Sequence, residues 1–242
     1  MKNILIGIAG LANSGKDTVA SMINYIHHVG VTKATYSDWL THQVYYDINL
    51  KKRIIHFADP LKDCLSIIYN IPREYFDDRK KKDEEFYLLN EGRFVKPDMF
   101  RNKYHEITID HLKENSLNDL LHDTIHNVGI KIRTLMQYFG TNICRNNLHE
   151  NIWIRSVIYK AAEIAENNGI CIIPDVRFSN EADAIIFHSF YGGVIKVNRK
   201  SNNKTQHESE NIDFQCSDEI DNNGTKMQLF YKVLELYKQL IK

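Results

Sequence analysis

Gly10, Gly15 and Lys16 stand at the spacing of a phosphate-binding loop. The stretch reads Gly10-Leu11-Ala12-Asn13-Ser14-Gly15-Lys16-Asp17-Thr18. Glycines let the backbone turn tightly, so that successive N–H groups face inward and hold phosphate oxygens. A helix opening at Lys16 adds the partial positive charge of its N-terminus. Lys16 itself would reach the β- and γ-phosphates as a point charge. The residue after such a lysine is usually Ser or Thr, whose hydroxyl binds Mg²⁺; here it is Asp17, followed by Thr18. A carboxylate beside a polyphosphate is repelled unless a cation lies between them. Asp17 therefore reads as a group near Mg²⁺, bound directly or through water. The competing reading is an acid that only complements the helix dipole.

A second acid stands at the end of an apolar run, Ile170-Cys171-Ile172-Ile173-Pro174-Asp175. A carboxylate at the C-terminal end of a buried strand is where Mg²⁺ is held in phosphate-loop enzymes. Alone the signal is weak, because many strands end in Asp; paired with Gly10–Lys16 it gains weight. Arg177 follows two residues later, at the same strand end, and suits a bidentate clamp on phosphate. Glu181 comes next, where an acid is also routine in the first turn of a helix.

The elements that must position these groups alternate between strand and helix. Ile4–Ala9 is an apolar, β-branched run leading into the loop, and Val19–Ile23 continues as helix. Arg53–Phe57 reads as a second buried strand. Asp59 then reads as an N-cap, with Pro60 at the first helical position. From Ile71 to about Asn127 the character changes. A dense charge run, Asp77 to Glu85, is followed by Arg93, Lys96, Arg101 and Lys103. One reading is a solvated insertion; the other is a substrate-covering lobe in which one to three cations meet a phosphate. A helix is expected from Ile130, with Leu135, Tyr138 and Phe139 near one face and Arg133, Gln137 and Arg145 interspersed, and Gly140-Thr141 interrupts it. Ile152–Glu166 is a further helix closed by Asn168-Gly169. Trp153 in its first turn reads as core or as a stacking surface for a base. Val194–Val197 and Glu219–Asp221 supply the fourth and fifth strands. Residues 199–215, with Arg199, Lys200, Lys204 and His207, read as a lid-like loop, and a last helix runs from Thr225. The expected architecture is α/β: about five parallel strands with helices on both faces, and an insertion at about 71–127.

Composition narrows the function classes. The chain has 242 residues, 43% of them hydrophobic, enough for a large core. Lys+Arg and Asp+Glu are both 31, so the net charge is zero, which argues against a general nucleic-acid or membrane-surface binder. Cys64, Cys144, Cys171 and Cys216 form no CxxC pair and read as free thiols of a reducing cytoplasm. A strand that begins at once leaves no room for a signal peptide, and no apolar run is long enough for a bilayer. How many chains associate is open; a homodimer is one option.

Six segments, taken in order, resemble the deoxynucleoside monophosphate kinases of tailed bacteriophages. They are Gly10–Thr18; Phe57-Ala58-Asp59-Pro60-Leu61-Lys62; Leu135-Met136-Gln137-Tyr138-Phe139-Gly140-Thr141; Trp153-Ile154; Asp175-Val176-Arg177-Phe178-Ser179-Asn180-Glu181-Ala182; and His207-Glu208-Ser209-Glu210. The Gly-Lys-Asp-Thr order is itself what that family shows. The resemblance implies a phosphate-loop (P-loop) kinase fold with an inserted, mostly helical substrate lobe. It implies transfer of the ATP γ-phosphoryl group to the 5′-phosphate of a deoxynucleotide in the host cytoplasm. By that likeness Lys16, Asp17, Thr18 and Asp175 serve phosphate and Mg²⁺, with Asp17 and Asp175 as metal groups. Arg133, Gln137, Trp153, Arg177 and Glu181 line the acceptor site, and Lys16, Arg133, Asp175 and Arg177 carry the chemistry. The alternatives are another small P-loop kinase, such as one resembling dephospho-coenzyme-A kinase, or a nucleotide-binding protein without catalysis. A GTPase would carry an Asn/Thr-Lys-x-Asp motif after a strand, and none is found.

Overall fold

The apolar run Ile4–Ala9 becomes the strand on which one of two compact units is built. In the computed structural model, residues 3–84, 86–90, 93–95, 105–114, 128–189, 191–200, 212 and 214–241 are described. In chain order the elements are β1 (Ile4–Ala9), α1 (Lys16–Val29), α2 (Tyr36–Asn49), α3 (Asp59–Tyr69), α4 (Arg79–Glu84), β2 (Phe86–Asn90), β3 (Arg93–Val95), β4 (His105–Glu106) and α5 (Ile109–Glu114). There follow β5 (Val128–Lys131), α6 (Ile132–Gln137), a π-helical stretch (Tyr138–Leu148), α7 (Ile152–Asn168), β6 (Ile170–Val176), α8 (Ser179–His188), β7 (Tyr191–Asn198), β8 (Asp218–Asp221) and α9 (Lys226–Leu240). The chain divides into two compact units, Met1–Phe57 with Trp153–Lys242, and Ala58–Ile152.

The first unit is a parallel sheet in the order β6-β1-β7-β8. β1 is buried along its whole length, and its side chains alternate between two cores. Ile4, Ile6 and Ile8 enter a core with Val19, Ile23 and Ile26 of α1, Trp39 of α2 and Phe230 and Val233 of α9. Leu5 and Ala9 enter the other, with Val157, Ile158 and Ala161 of α7 and Ala182 and Ile185 of α8. Helices thus cover both faces, as parallel strands require.

The sheet has four strands rather than the expected five. Arg53–Phe57 makes a 3₁₀ turn at Lys51–Arg53 and then a single bridge, Ile54 to Ile172. Ile55 N–H donates to the Ile172 carbonyl at 3.1 Å. A parallel ladder would next need an N–H from residue 174 for the Ile55 carbonyl, but residue 174 is proline and has none. Two residues on, the Phe57 N–H donates to Oδ1 of Asp175 at 2.9 Å, so it too leaves the ladder. The same place carries a bulge against β1: Gly7 pairs with Ile173 but Ala9 pairs with Val176. One extra residue in β6 hands the α7/α8 face from Ile173 to Val176 and re-aims Asp175.

The second unit holds a sheet the sequence did not reveal, in the order β3-β2-β5-β4. β2 runs antiparallel to β3 and β5, and β4 parallel to β5. Ile130 therefore lies in a strand, and helix begins only after Lys131, whose ψ of 142° is still extended. Gly140-Thr141 does not end the helix; the chain continues through it in the wider π form, with Gly140 pressed on Leu61 of α3. Asp59 is the first helical residue of α3 rather than its cap, and Ala58 precedes it. Arg73 braces α3 with all three of its nitrogens. Nε donates to Asp63 at 2.6 Å, Nη1 to Asp77 at 2.6 Å and Nη2 to Asp59 at 3.0 Å. Lys62 donates to Asp77 at 2.8 Å. Of the expected insertion, residues 85, 91–92, 96–104 and 115–127 lie outside the described residues, and so do 201–211 and 213 of the expected lid.

Burial alone would raise the Asp77 pKa, but the bond from Lys62 and the charges of Lys62 and Arg73 outweigh it and hold the carboxyl below its ordinary value. A group whose pKa falls on folding stabilises fully above the unfolded value, about 4, and loses that contribution as pH drops below it. The protection factors of amides in residues 59–78 are therefore expected to fall between about pH 4 and pH 2. Equal protection across that range would remove the brace from the stability of α3.

Candidate functional site

Six residues, Gly10 to Gly15, turn the chain from β1 into α1. Ser14 N–H donates to the Leu11 carbonyl at 3.1 Å, and Asn13 adopts a left-handed conformation with φ 64°. Gly15 precedes α1 with φ 100°, and no side chain caps that helix. The N-terminus of α1, with its partial positive charge, thus opens onto the loop, where an anion is favoured. A Cβ on Gly10 would lie 2.4 Å from the Ser14 hydroxyl and 2.8 Å from the Val197 carbonyl, so only glycine lets the loop close so tightly. The Ser14 hydroxyl is itself buried and has no hydrogen-bond partner among the described residues. Lys16 folds back over the loop, with Nζ donating to the carbonyls of Gly10 at 2.7 Å and Leu11 at 2.9 Å. Tight glycines, an uncapped helix, an unpaired hydroxyl donor and an ammonium over the loop form a cradle that fits an anion.

Asp17 is exposed in the first turn of α1, and Thr18 beside it is half-buried. Asp175 stands at the end of β6, next to β1, with one oxygen taken by Phe57 N–H. Among the described residues no three His, Cys, Asp or Glu side chains form a cluster able to enclose a metal.

Arg177 follows Asp175 on the turn into α8. Glu181 is buried and spends its carboxylate on that turn: Oε2 accepts from Arg177 N–H at 2.8 Å and from Phe178 N–H at 3.2 Å. It caps α8 and fixes the backbone that carries Arg177. Trp153 is buried in the first turn of α7. Beyond the loop, a cleft of about 420 Å³ is lined by Gly10, Leu11, Lys196, Arg199, Lys200 and Asn223, among others. Lys200 N–H donates to the Asn223 side chain at 2.7 Å, and Arg199 lies over the loop with Nη1 3.4 Å from the Asn13 carbonyl.

The family model for deoxynucleotide monophosphate kinases matches residues 4–233. The chain belongs to that family. It is also 24% identical over 231 residues to the deoxynucleoside-5′-monophosphate kinase of Escherichia phage T5, covering 86% of this chain and 84% of that one.

Arg133 and Gln137 lie in α6 of the second unit, both half-buried. Arg133 is held side-on by Asp83 of the charge run: Nε donates to one carboxylate oxygen and Nη2 to the other at 3.1 Å. Lys82 precedes Asp83; burial first, then the charges of Arg133 and Lys62, push its ammonium below the ordinary value. Lys81 instead covers the Tyr75 ring at 3.6 Å, and Arg79 and Lys80 are exposed. The side chain of Arg93 and residues Lys96, Arg101, Lys103, Lys204 and His207–Glu210 lie outside the described residues. No helix among the described residues is long and apolar enough to cross a membrane.

Sequence reasoning missed the partners that fix these groups: Phe57 on Asp175, Asp83 on Arg133, and Asn222, whose side chain donates to the Ser14 carbonyl at 2.7 Å. Only Asn222 left a visible trace, as the first polar residue after a strand. Glu181→Ala should destabilise the chain by about 1–3 kcal/mol, because two N–H groups of the turn lose a charged partner. The urea midpoint measures this, and an unchanged midpoint would mean that water replaces the carboxylate freely.

Proposed function

We propose that this chain transfers the γ-phosphoryl group of ATP to the 5′-phosphate of a deoxynucleoside monophosphate, giving the diphosphate and ADP. The family acts on nucleotide monophosphates as phosphotransferases, and the chain is matched to it from strand β1 into helix α9. The observation that carries the donor side is the loop itself, with Lys16 folded over its carbonyls and the Ser14 hydroxyl unpaired.

Phosphoryl transfer asks for positioning and charge neutralisation more than for covalent help. On this reading the loop N–H groups and Lys16 bind the β- and γ-phosphates and stabilise charge on the group in flight. Asp17, Thr18 and Asp175 are the residues that would hold Mg²⁺, which when bound neutralises charge on the β- and γ-oxygens. The Phe57 N–H restrains one Asp175 oxygen and leaves the carboxylate pre-aimed. Arg177, on a turn stiffened by Glu181, binds the acceptor phosphate. Arg133, held side-on by Asp83, keeps its other N–H edge for the same purpose, with Gln137 and Trp153 serving the acceptor nucleoside. No general base is required, because the attacking atom is already a phosphate oxygen.

The deciding experiment is ADP release from ATP–Mg²⁺ with each 5′-monophosphate in turn, deoxy and ribo, and with dephospho-coenzyme A. Turnover on deoxynucleotides is expected. Turnover on dephospho-coenzyme A alone identifies a different small-molecule kinase, and no turnover with any acceptor identifies a binding protein. Lys16→Ala and Asp175→Ala should each lower kcat by about 10²-fold or more. Arg177→Ala should raise the KM of the acceptor more than that of ATP; a change confined to ATP would put the residue on the donor side.

A further inference from the structure

Asn222 is the residue that leaves β8, and three contacts tie it to neighbouring backbone. Its N–H donates to the Asn198 carbonyl at the end of β7, at 2.7 Å. Its side-chain Nδ2 donates to the Ser14 carbonyl, also at 2.7 Å. A Cβ on Gly15 would lie 2.4 Å from that same Nδ2, so the amide lies directly against the loop backbone. The side chain is not needed to start α9. Thr225 and Gln228 cap that helix reciprocally, with Thr225 Oγ1 accepting from Gln228 N–H and Gln228 Oε1 accepting from Thr225 N–H.

The bond to Ser14 has a consequence for the other end of the same peptide group. In a trans peptide the C=O and N–H point in opposite directions. With the Ser14 carbonyl drawn toward Asn222, the Gly15 N–H faces the other way, and it has no hydrogen-bond partner among the described residues. Peptides next to glycine flip most easily, because both signs of φ are open to it, and Gly15 sits at φ 100°. The flipped peptide would turn a carbonyl oxygen, instead of a donor, toward a bound phosphate.

We propose that Asn222 is a positioning residue for the triphosphate: by holding the Ser14 carbonyl it keeps the Gly15 N–H turned toward the phosphates before ATP arrives. This rests on the reading of the loop as the ATP site. It adds to that reading a polar side chain from the far edge of the sheet, which acts on the nucleotide only through the loop backbone.

Asn222→Ala and Asn222→Asp in the full chain test it. Calorimetry gives the Kd of ADP and ATP, steady-state kinetics gives KM for ATP and for the acceptor, and thermal unfolding gives Tm. Asn222→Ala is expected to weaken ATP and ADP about tenfold, with the acceptor KM within about twofold of wild type and Tm little changed. Asn222→Asp should be worse than Ala near pH 8, where a carboxylate repels both the Ser14 carbonyl and the phosphates. It should recover relative to Ala as pH falls toward the carboxyl pKa, because the protonated acid donates to the carbonyl again. Unchanged nucleotide Kd in Asn222→Ala overturns the proposal, and so does a loss that falls equally on donor and acceptor and follows Tm. If wild type binds ATP but phosphorylates no deoxynucleotide, the kinase reading fails while the Kd comparison still decides the role of Asn222.

Discussion

β1 has no free surface. Strands flank both of its edges and helices cover both of its faces, so the six residues after it must convert a fully constrained strand into a helix at one point in space. Everything about the loop follows from that demand. The backbone must turn through left-handed conformations at Asn13 and Gly15, and it must pass so close to Ser14 and Val197 that Gly10 has no room for a side chain. A turn this tight pairs the Ser14 N–H with the Leu11 carbonyl but leaves the Gly15 N–H and the Ser14 hydroxyl without a partner among the described residues. The unpaired donors and the uncapped start of α1 then make the strand end a place for anions. The cradle proposed for phosphate is a by-product of packing a parallel strand on all sides and leaving it abruptly.

The sequence was most readable where a single local rule decides the outcome. The continuous burial of Ile4–Ala9, the helix after Lys16, the stop at Gly169 and the Thr225 cap all follow from apolar runs, propensity or φ sign within a few residues. It was least readable where a distant group overrides local preference. Arg53–Phe57 has the composition of a strand, but its ladder ends because position 174, more than a hundred residues away, is proline, and because Asp175 takes the Phe57 N–H. Ile130 looks like part of a helical stripe, yet pairing with β2 and β4 draws it into a sheet. The candidate site shows the same division. Lys16, Arg133, Asp175 and Arg177 are candidates that residue type and position alone suggest. The groups that aim them, Phe57, Asp83, Glu181 and Asn222, act through bonds whose partners no short motif encodes. Glu181 was legible both as a ligand of substrate and as an acid in the first turn of a helix; what the sequence did not show is that its carboxylate accepts from the backbone N–H groups of Arg177 and Phe178.

A common device recurs at these positions. A charged or polar group is held at one edge by protein. Asp175 gives one oxygen to Phe57, Arg133 gives its Nε edge to Asp83, and the Ser14–Gly15 peptide gives its carbonyl to Asn222. Groups held in this way have already lost conformational freedom on folding, so less remains to be lost on binding.

Pro174 has a consequence at the other scale, that of the sheet as an aggregation hazard. An open parallel sheet ends in two strands that could recruit a strand from another molecule. On the β6 side, the proline withholds a donor that an incoming backbone would need, and Ile54 already occupies the position before it. On the β8 side, Asp218, Glu219 and Asp221 put three carboxylates on a four-residue strand, and stacking a like strand beside it would crowd negative charge. The two flanks are blunted by unrelated means, a missing hydrogen at one and electrostatic repulsion at the other, which favours growth in neither direction.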